Sequence, residues 1–140
     1  MEKGFEFFEH TADIGFYSEG KNIDEAFENA GRAFLSVLTD EKKVGKTDKR
    51  SFEITSEDSR ALLYDFLDHL VFLKDTENFL IKDFDIRIEE KKDGFYLECQ
   101  GKGQKVSSIT GTDVKAATYS EMDIKKKGKD KVVLKAVLDI

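Results

Sequence analysis

The chain has 140 residues, 39% of them hydrophobic and 37% charged, with a formal net charge of −6. A chain of this length is expected to form one domain over residues 1–140, burying about two-thirds of its surface and needing no disulfide or structural metal to fold. The acidic balance excludes counterion release from nucleic-acid phosphates as a main source of affinity. The single cysteine, Cys99, excludes an internal disulfide and fits a reducing compartment. No apolar run approaches the length of a bilayer span, and Met1-Glu2-Lys3-Gly4 lacks the apolar core of a signal peptide. A cytoplasmic location with no membrane partner is expected.

Gly4 to Glu9 reads as a phenylalanine-rich strand, and Ile14 to Ser18 as a second one. Asn22 is placed to cap a helix, with Glu25 three residues on to complete a capping box. Ile23, Ala26, Phe27, Ala30, Ala33, Phe34, Val37 and Leu38 follow at helical spacing to Thr39-Asp40. Gly31 inside that helix points to close packing against a sheet. Ser51 to Thr55 is strand-like. Ser56 is expected to cap a second helix, whose apolar stripe runs from Leu62 to Leu73, with Asp65 and Asp68-His69 on a solvated face. Phe84, Ile86 and Ile88 alternate as in a half-buried strand within Phe79–Glu90. Asp93-Gly94 signals a tight hairpin, and Phe95 to Gln100 returns, loosened at its end by Gly101 and Gly103. Thr112 to Tyr119, Met122 to Lys126 and Lys131 to Leu138 are further strand candidates. Strands and helices in this order do not make repeating βαβ units. The fold class expected is α+β, two helices packed on a mixed, mostly antiparallel sheet.

Three stretches carry polar groups in apolar settings. Phe8-Glu9-His10-Thr11-Ala12-Asp13-Ile14-Gly15 crowds an imidazole, a hydroxyl and two carboxylates into a turn. Leu138-Asp139-Ile140 ends an apolar strand with a side-chain carboxylate beside the terminal one. Carboxylates brought together repel unless a cation joins them. Asp13, Asp139 and Ile140 together would make an all-oxygen site, which suits calcium, magnesium or manganese. The alternative is a solvated strand end. Lys115 is either a cation that neutralises the acidic cluster or reaches a phosphate, or a surface strand lysine. His10 is a ligand or a hydrogen-bonded core residue. Neither paired cysteines for zinc nor a Gly-rich phosphate loop is present. The Lys125-Lys126-Lys127 run reads as a solvated turn.

The chain resembles the archease family on three stretches. Phe8 to Gly15 is similar to the family's N-terminal signature. Thr112-Asp113-Val114-Lys115-Ala116-Ala117-Thr118-Tyr119 is similar to its TEVKAVTY segment. Val137-Leu138-Asp139-Ile140 is similar to its closing IFDV or IFDI. Order, spacing and length also agree over essentially the whole chain. Departures are Ser120, where a histidine often follows the tyrosine, Val106-Ser107-Ser108-Ile109, where another often stands, and Asp130-Lys131 in place of a tryptophan.

The resemblance implies a small α+β protein cofactor of an RtcB-type RNA ligase in tRNA splicing and RNA repair. Such a protein promotes guanylylation and multiple turnover of the ligase and meets RNA only through it. It implies no catalytic residue in this chain. It implies a divalent metal held by Asp13, Asp139 and Ile140, with calcium first among the candidates. It further implies that Asp13, Lys115 and Asp139 carry ligase activation, with His10 and Thr11 behind them. The competing function is a stand-alone, divalent-metal-dependent phosphoester hydrolase.

Overall fold

The computed structural model describes residues 1–10 and 12–140, and the His10 side chain also lies outside the described residues. Asn22 caps the first helix as its spacing predicts. Its side chain accepts from the Glu25 amide at 2.9 Å, and α1 runs Ile23–Leu38. The reciprocal arm is offset, because the Glu25 carboxylate accepts from the Lys21 amide at 3.2 Å rather than from Asn22. The second helix, α2, runs Ser59–Glu77 and is capped by Asp58, which accepts from the Ala61 amide at 2.8 Å. Ser56, expected as that cap, ends the preceding strand instead and donates to Asp65 at 2.6 Å. Asp65 is therefore tied down rather than solvated. His69 is also not on a solvated face: its ring packs 4.2 Å from that of Phe52.

The strands divide into two sheets rather than the one expected, and every pairing among the described residues is antiparallel. In the first, β1 (Phe5–His10), β2 (Asp13–Gly20), β8 (Val132–Asp139) and β6 (Ala116–Ala117) lie side by side. β7 (Asp123–Lys126) also pairs with β8. In the second, β5 (Gly94–Lys105) is central between β3 (Asp48–Ser56) and β4 (Phe79–Lys91). The β4–β5 turn is Lys92-Asp93, one residue earlier than predicted, with Gly94 at φ +150° pairing back to Lys91. Gly101 and Gly103 do not end β5, which stays paired with both neighbours as far as Gly103. Thr112–Tyr119 contributes only the two residues of β6. Its upstream amides go to helix carbonyls instead: Gly111 donates to Leu38 at 2.7 Å and Thr112 to Val37 at 2.9 Å. A backbone donor used there is lost to a strand ladder.

Both helices bury their apolar stripes in one cluster shared by the two sheets. Phe27 of α1 and Phe66 of α2 are fully buried with ring centroids 5.6 Å apart. Each buried phenylalanine contributes about 1.5–3 kcal/mol. Gly31 is explained by Phe84 of β4: a Cβ there would lie 2.5 Å from the ring. α1 also covers the open edge of β4. Glu28 accepts from the Ile86 amide at 2.9 Å and Asp24 from the Ile88 amide at 3.1 Å. Edge amides satisfied in this way are closed to a second strand.

Candidate functional site

β2 and β8 run side by side in opposite directions, and their register brings the start of β2 to the end of β8. Asp13, the first residue of β2, stands directly opposite Asp139, the last of β8. Directly opposed residues of an antiparallel pair project to the same face, with Cβ atoms about 4.5–5.5 Å apart. Along β8, Leu134, Ala136 and Leu138 are buried while Asp139 is exposed. Asp139 therefore continues a buried strand into solvent. The α-carboxylate of Ile140 follows one residue on. The corner thus holds two side-chain carboxylates, with the chain terminus beside them.

β6 completes the corner from the other side. Ala116 pairs with Asp139, and the Lys115 amide donates to the Asp139 carbonyl at 2.8 Å. Asp139 is therefore flanked by Asp13 on one strand and by the Lys115–Ala116 main chain on the other. The Lys115 side chain is exposed and, among the described residues, makes no ion pair. Asp13 is half-buried and engaged in further interactions. Just before it, Ala12 has φ +58°, a left-handed conformation that L-residues adopt at a cost of roughly 1–2 kcal/mol. On the same face, Gly15 lets the Phe8 ring lie over the strand, since a Cβ at Gly15 would fall 2.2 Å from it. That ring packs against Tyr17 at 4.9 Å, with the Lys135 ammonium 5.6 Å from its centroid.

The donor set at this corner is hard oxygen, the kind that takes calcium, magnesium or manganese. Two side-chain carboxylates, one of them exposed, make an incomplete shell for a cation of six to eight ligands. Among the described residues no group of three or more His, Cys, Asp and Glu side chains is placed to hold a metal. Any further oxygens must come from the terminal carboxylate, main-chain carbonyls, water or a partner. The expected second layer, His10 and Thr11, lies outside the described residues, although the His10 main chain pairs with Asp13.

A hollow of about 640 Å³ lies elsewhere. Glu28 and Arg32 of α1, Lys82 and Phe84 of β4 and Lys102 of β5 line it, and it contains none of Asp13, Lys115 and Asp139. The carboxylate corner is therefore no part of the lining of that hollow.

Sequence reasoning passed over Lys74 and Asp113. Lys74 is 6% exposed, sits in the last turn of α2, and donates to Asp113 at 2.7 Å as well as to Asp75. The signal was present: Lys74 stands four residues after Leu70 and three after Val71, on the stripe that faces the core.

A profile of the archease protein family matches residues 5–140. The Methanothermobacter thermautotrophicus protein archease is 44% identical over 124 residues, 87% of this chain and 89% of that protein. The protein archease of Sulfurisphaera tokodaii is 42% identical over 143 residues, covering all of both chains. The solution structure of Methanobacterium thermoautotrophicum protein 1598 superposes with a TM-score of 0.85 at 39% identity, covering 99% of each chain. A crystal structure of an archease from Thermotoga maritima shares the fold at a TM-score of 0.63 and 21% identity, over 95% of this chain and 94% of that one.

Proposed function

Because this chain belongs to the archease family, we propose that it is a protein cofactor of an RtcB-type RNA ligase, acting in tRNA splicing and RNA repair. It promotes guanylylation of the ligase and its multiple turnover, and has no turnover of its own. The observation that carries this reading is the strand register that sets Asp13 opposite Asp139, with the Lys115 main chain bonded to Asp139. Asp13, Asp139 and the Ile140 carboxylate would hold a divalent cation, calcium, magnesium or manganese. Once bound, that cation supplies positive charge to orient phosphate oxygens.

The chain's own residues do the rest. Asp13 and Asp139 present oxygens at a strand end that can enter a partner's pocket. Lys115 brings an exposed amine as a point charge for a phosphoryl group. Holding reacting groups in line is worth several kcal/mol of barrier, which suits an accessory protein that orients phosphates it does not itself transform. Contact with RNA is through the ligase, in keeping with the net charge of −6. No helix among the described residues is long and apolar enough to cross a membrane, and a cytoplasmic location is part of the proposal.

The test is multiple-turnover ligation by the cognate ligase with Asp13→Ala, Lys115→Ala or Asp139→Ala. Each is expected to reduce stimulation, and undiminished stimulation by all three would reject the reading. Metal-dependent phosphoester hydrolysis by this protein alone would favour the hydrolase instead.

A further inference from the structure

Residues 106–113 belong to no strand, yet they are fastened at several points. The Val106 amide donates to the Asn78 carbonyl at 2.8 Å, and Asn78 caps α2 in a left-handed conformation. The Gly111 and Thr112 amides donate to Leu38 and Val37, the last carbonyls of α1. The Thr39 and Thr110 hydroxyls share a hydrogen bond of 2.8 Å. Lys74 then takes Asp113 at 2.7 Å, Val114 is fully buried, and the Lys115 amide reaches Asp139. Gly111 permits the approach to α1: a Cβ there would lie 2.6 Å from the Val37 oxygen and 2.9 Å from that of Leu38. The segment thus bridges the C-terminal ends of both helices and delivers Lys115 to the corner.

A buried ammonium is a poor way to gain stability. Removing such a charge from water costs several kcal/mol, and an apolar residue of similar size would avoid that cost. Its partners, Asp75 and Asp113, are 55% and 64% exposed, so they lose little water in exchange. Burial works against the charged form, but the bonds to Asp113 and Asp75 outweigh it and hold the Lys74 pKa above the ordinary lysine value. The group stays charged, at the helix end whose dipole favours a cation.

What the ammonium does provide is a fixed point. β6 is two residues long and, among the described residues, pairs with β8 alone, so its own ladder specifies register weakly. Asp113 stands two residues before Lys115, a reach of at most about 7 Å. A displaced Asp113 therefore displaces Lys115.

We propose that Lys74 is a positioning residue for Lys115. Its ammonium fixes Asp113, and the two-residue step from Asp113 sets the Lys115 main chain against Asp139. The functional consequence rests on the ligase reading above; the placement itself does not.

The experiment combines amide hydrogen exchange with multiple-turnover ligation, using Lys74→Met, Lys74→Arg and Asp113→Ala. Lys74→Met and Asp113→Ala are expected to expose the Lys115 and Gly111 amides while the Phe66 amide in α2 keeps its protection. Stimulation of the ligase should fall about 10- to 100-fold in the turnover rate rather than in apparent affinity, with partial rescue by Lys74→Arg. Lys74→Met added to Lys115→Ala should cost nothing more than Lys115→Ala alone. Asp113 is exposed, so Asp113→Ala keeps the test informative if Lys74→Met fails to fold. Unchanged protection of the Lys115 amide in Asp113→Ala overturns the proposal. If Asp13→Ala, Lys115→Ala and Asp139→Ala all leave stimulation intact, the ligase reading fails, and amide exchange alone decides the placement.

Discussion

Asp139→Asn should change stability in opposite directions with and without a divalent cation. Asp13 and Asp139 are directly opposed on neighbouring strands, which sets their charges at a separation of about 5 Å. Asp139 is exposed, so a water-like dielectric applies, and two unit charges at that separation repel by about 0.8 kcal/mol. The Ile140 carboxylate adds to the repulsion, and salt reduces it. Unfolding entropy of about 2.1 cal/mol/K per residue over 140 residues converts 0.8 kcal/mol into a Tm rise of roughly 3 °C. In chelator, therefore, Asp139→Asn should melt about 3 °C above the wild type. At a cation concentration one hundred times Kd, the wild type should gain about 2.7 kcal/mol, roughly 9 °C. The variant, short of one ligand, should gain far less, so the order reverses. Calorimetry at low salt, in chelator and then in calcium, magnesium or manganese, reads both numbers. A variant that melts at or below the wild type in chelator refutes the repulsion argument. Equal cation shifts in both proteins refute the assignment of Asp139 as a ligand.

Three further outcomes are expected. Gly103→Ala should lower the urea midpoint by an amount equivalent to at least about 2 kcal/mol, because its Cβ would lie 1.9 Å from the Leu80 carbonyl oxygen, in the main chain of β4; a midpoint within error of the wild type would contradict that geometry. Burial raises the Glu28 pKa above the usual 4.5, outweighing the hydrogen bond from the Ile86 amide, with Asp85, Asp24 and Glu25 adding to the rise. A raised carboxyl is stabilising while protonated, and that contribution fades as pH climbs from about 4.5 through the folded value. Glu28→Gln keeps an acceptor for the Ile86 amide without the charge, so its stability should fall less between pH 4.5 and neutrality than that of the wild type; identical pH profiles would contradict this. Cys99 is fully buried, and burial, with Glu28 and Asp85 nearby, pushes its thiol up to about 12. A thiol reagent at mildly alkaline pH should leave native protein unlabelled and label it fully in denaturant.

Much of the candidate site was legible as residue types. A carboxylate in a turn after a phenylalanine-rich strand, a lysine among apolar residues and a strand that ends in Asp-Ile each stand out locally. Their adjacency was an expectation, because nothing local in Asp13 refers to Asp139. The register of β2 against β8 provides it. Lys74 was missed for a related reason: a lysine at the end of a helix reads as solvent-facing until the partner that crosses to it is known. Asp113 is that partner, 39 residues further along the chain.

The sequence by itself determined where order begins and changes type. Asn22 stops one strand and starts a helix, the apolar spacing carries α1 and α2, and Phe84, Ile86 and Ile88 alternate as β4 requires. Such signals are local, because capping and periodicity act within a turn or two of the backbone. Only the tertiary structure decided which strands pair. It divided the strands into two sheets, took Thr112 out of a strand to satisfy α1, and set the first residue of β2 against the last of β8. Pairing joins groups far apart in the chain, and its energy depends on which faces are buried together, a property that no single segment contains.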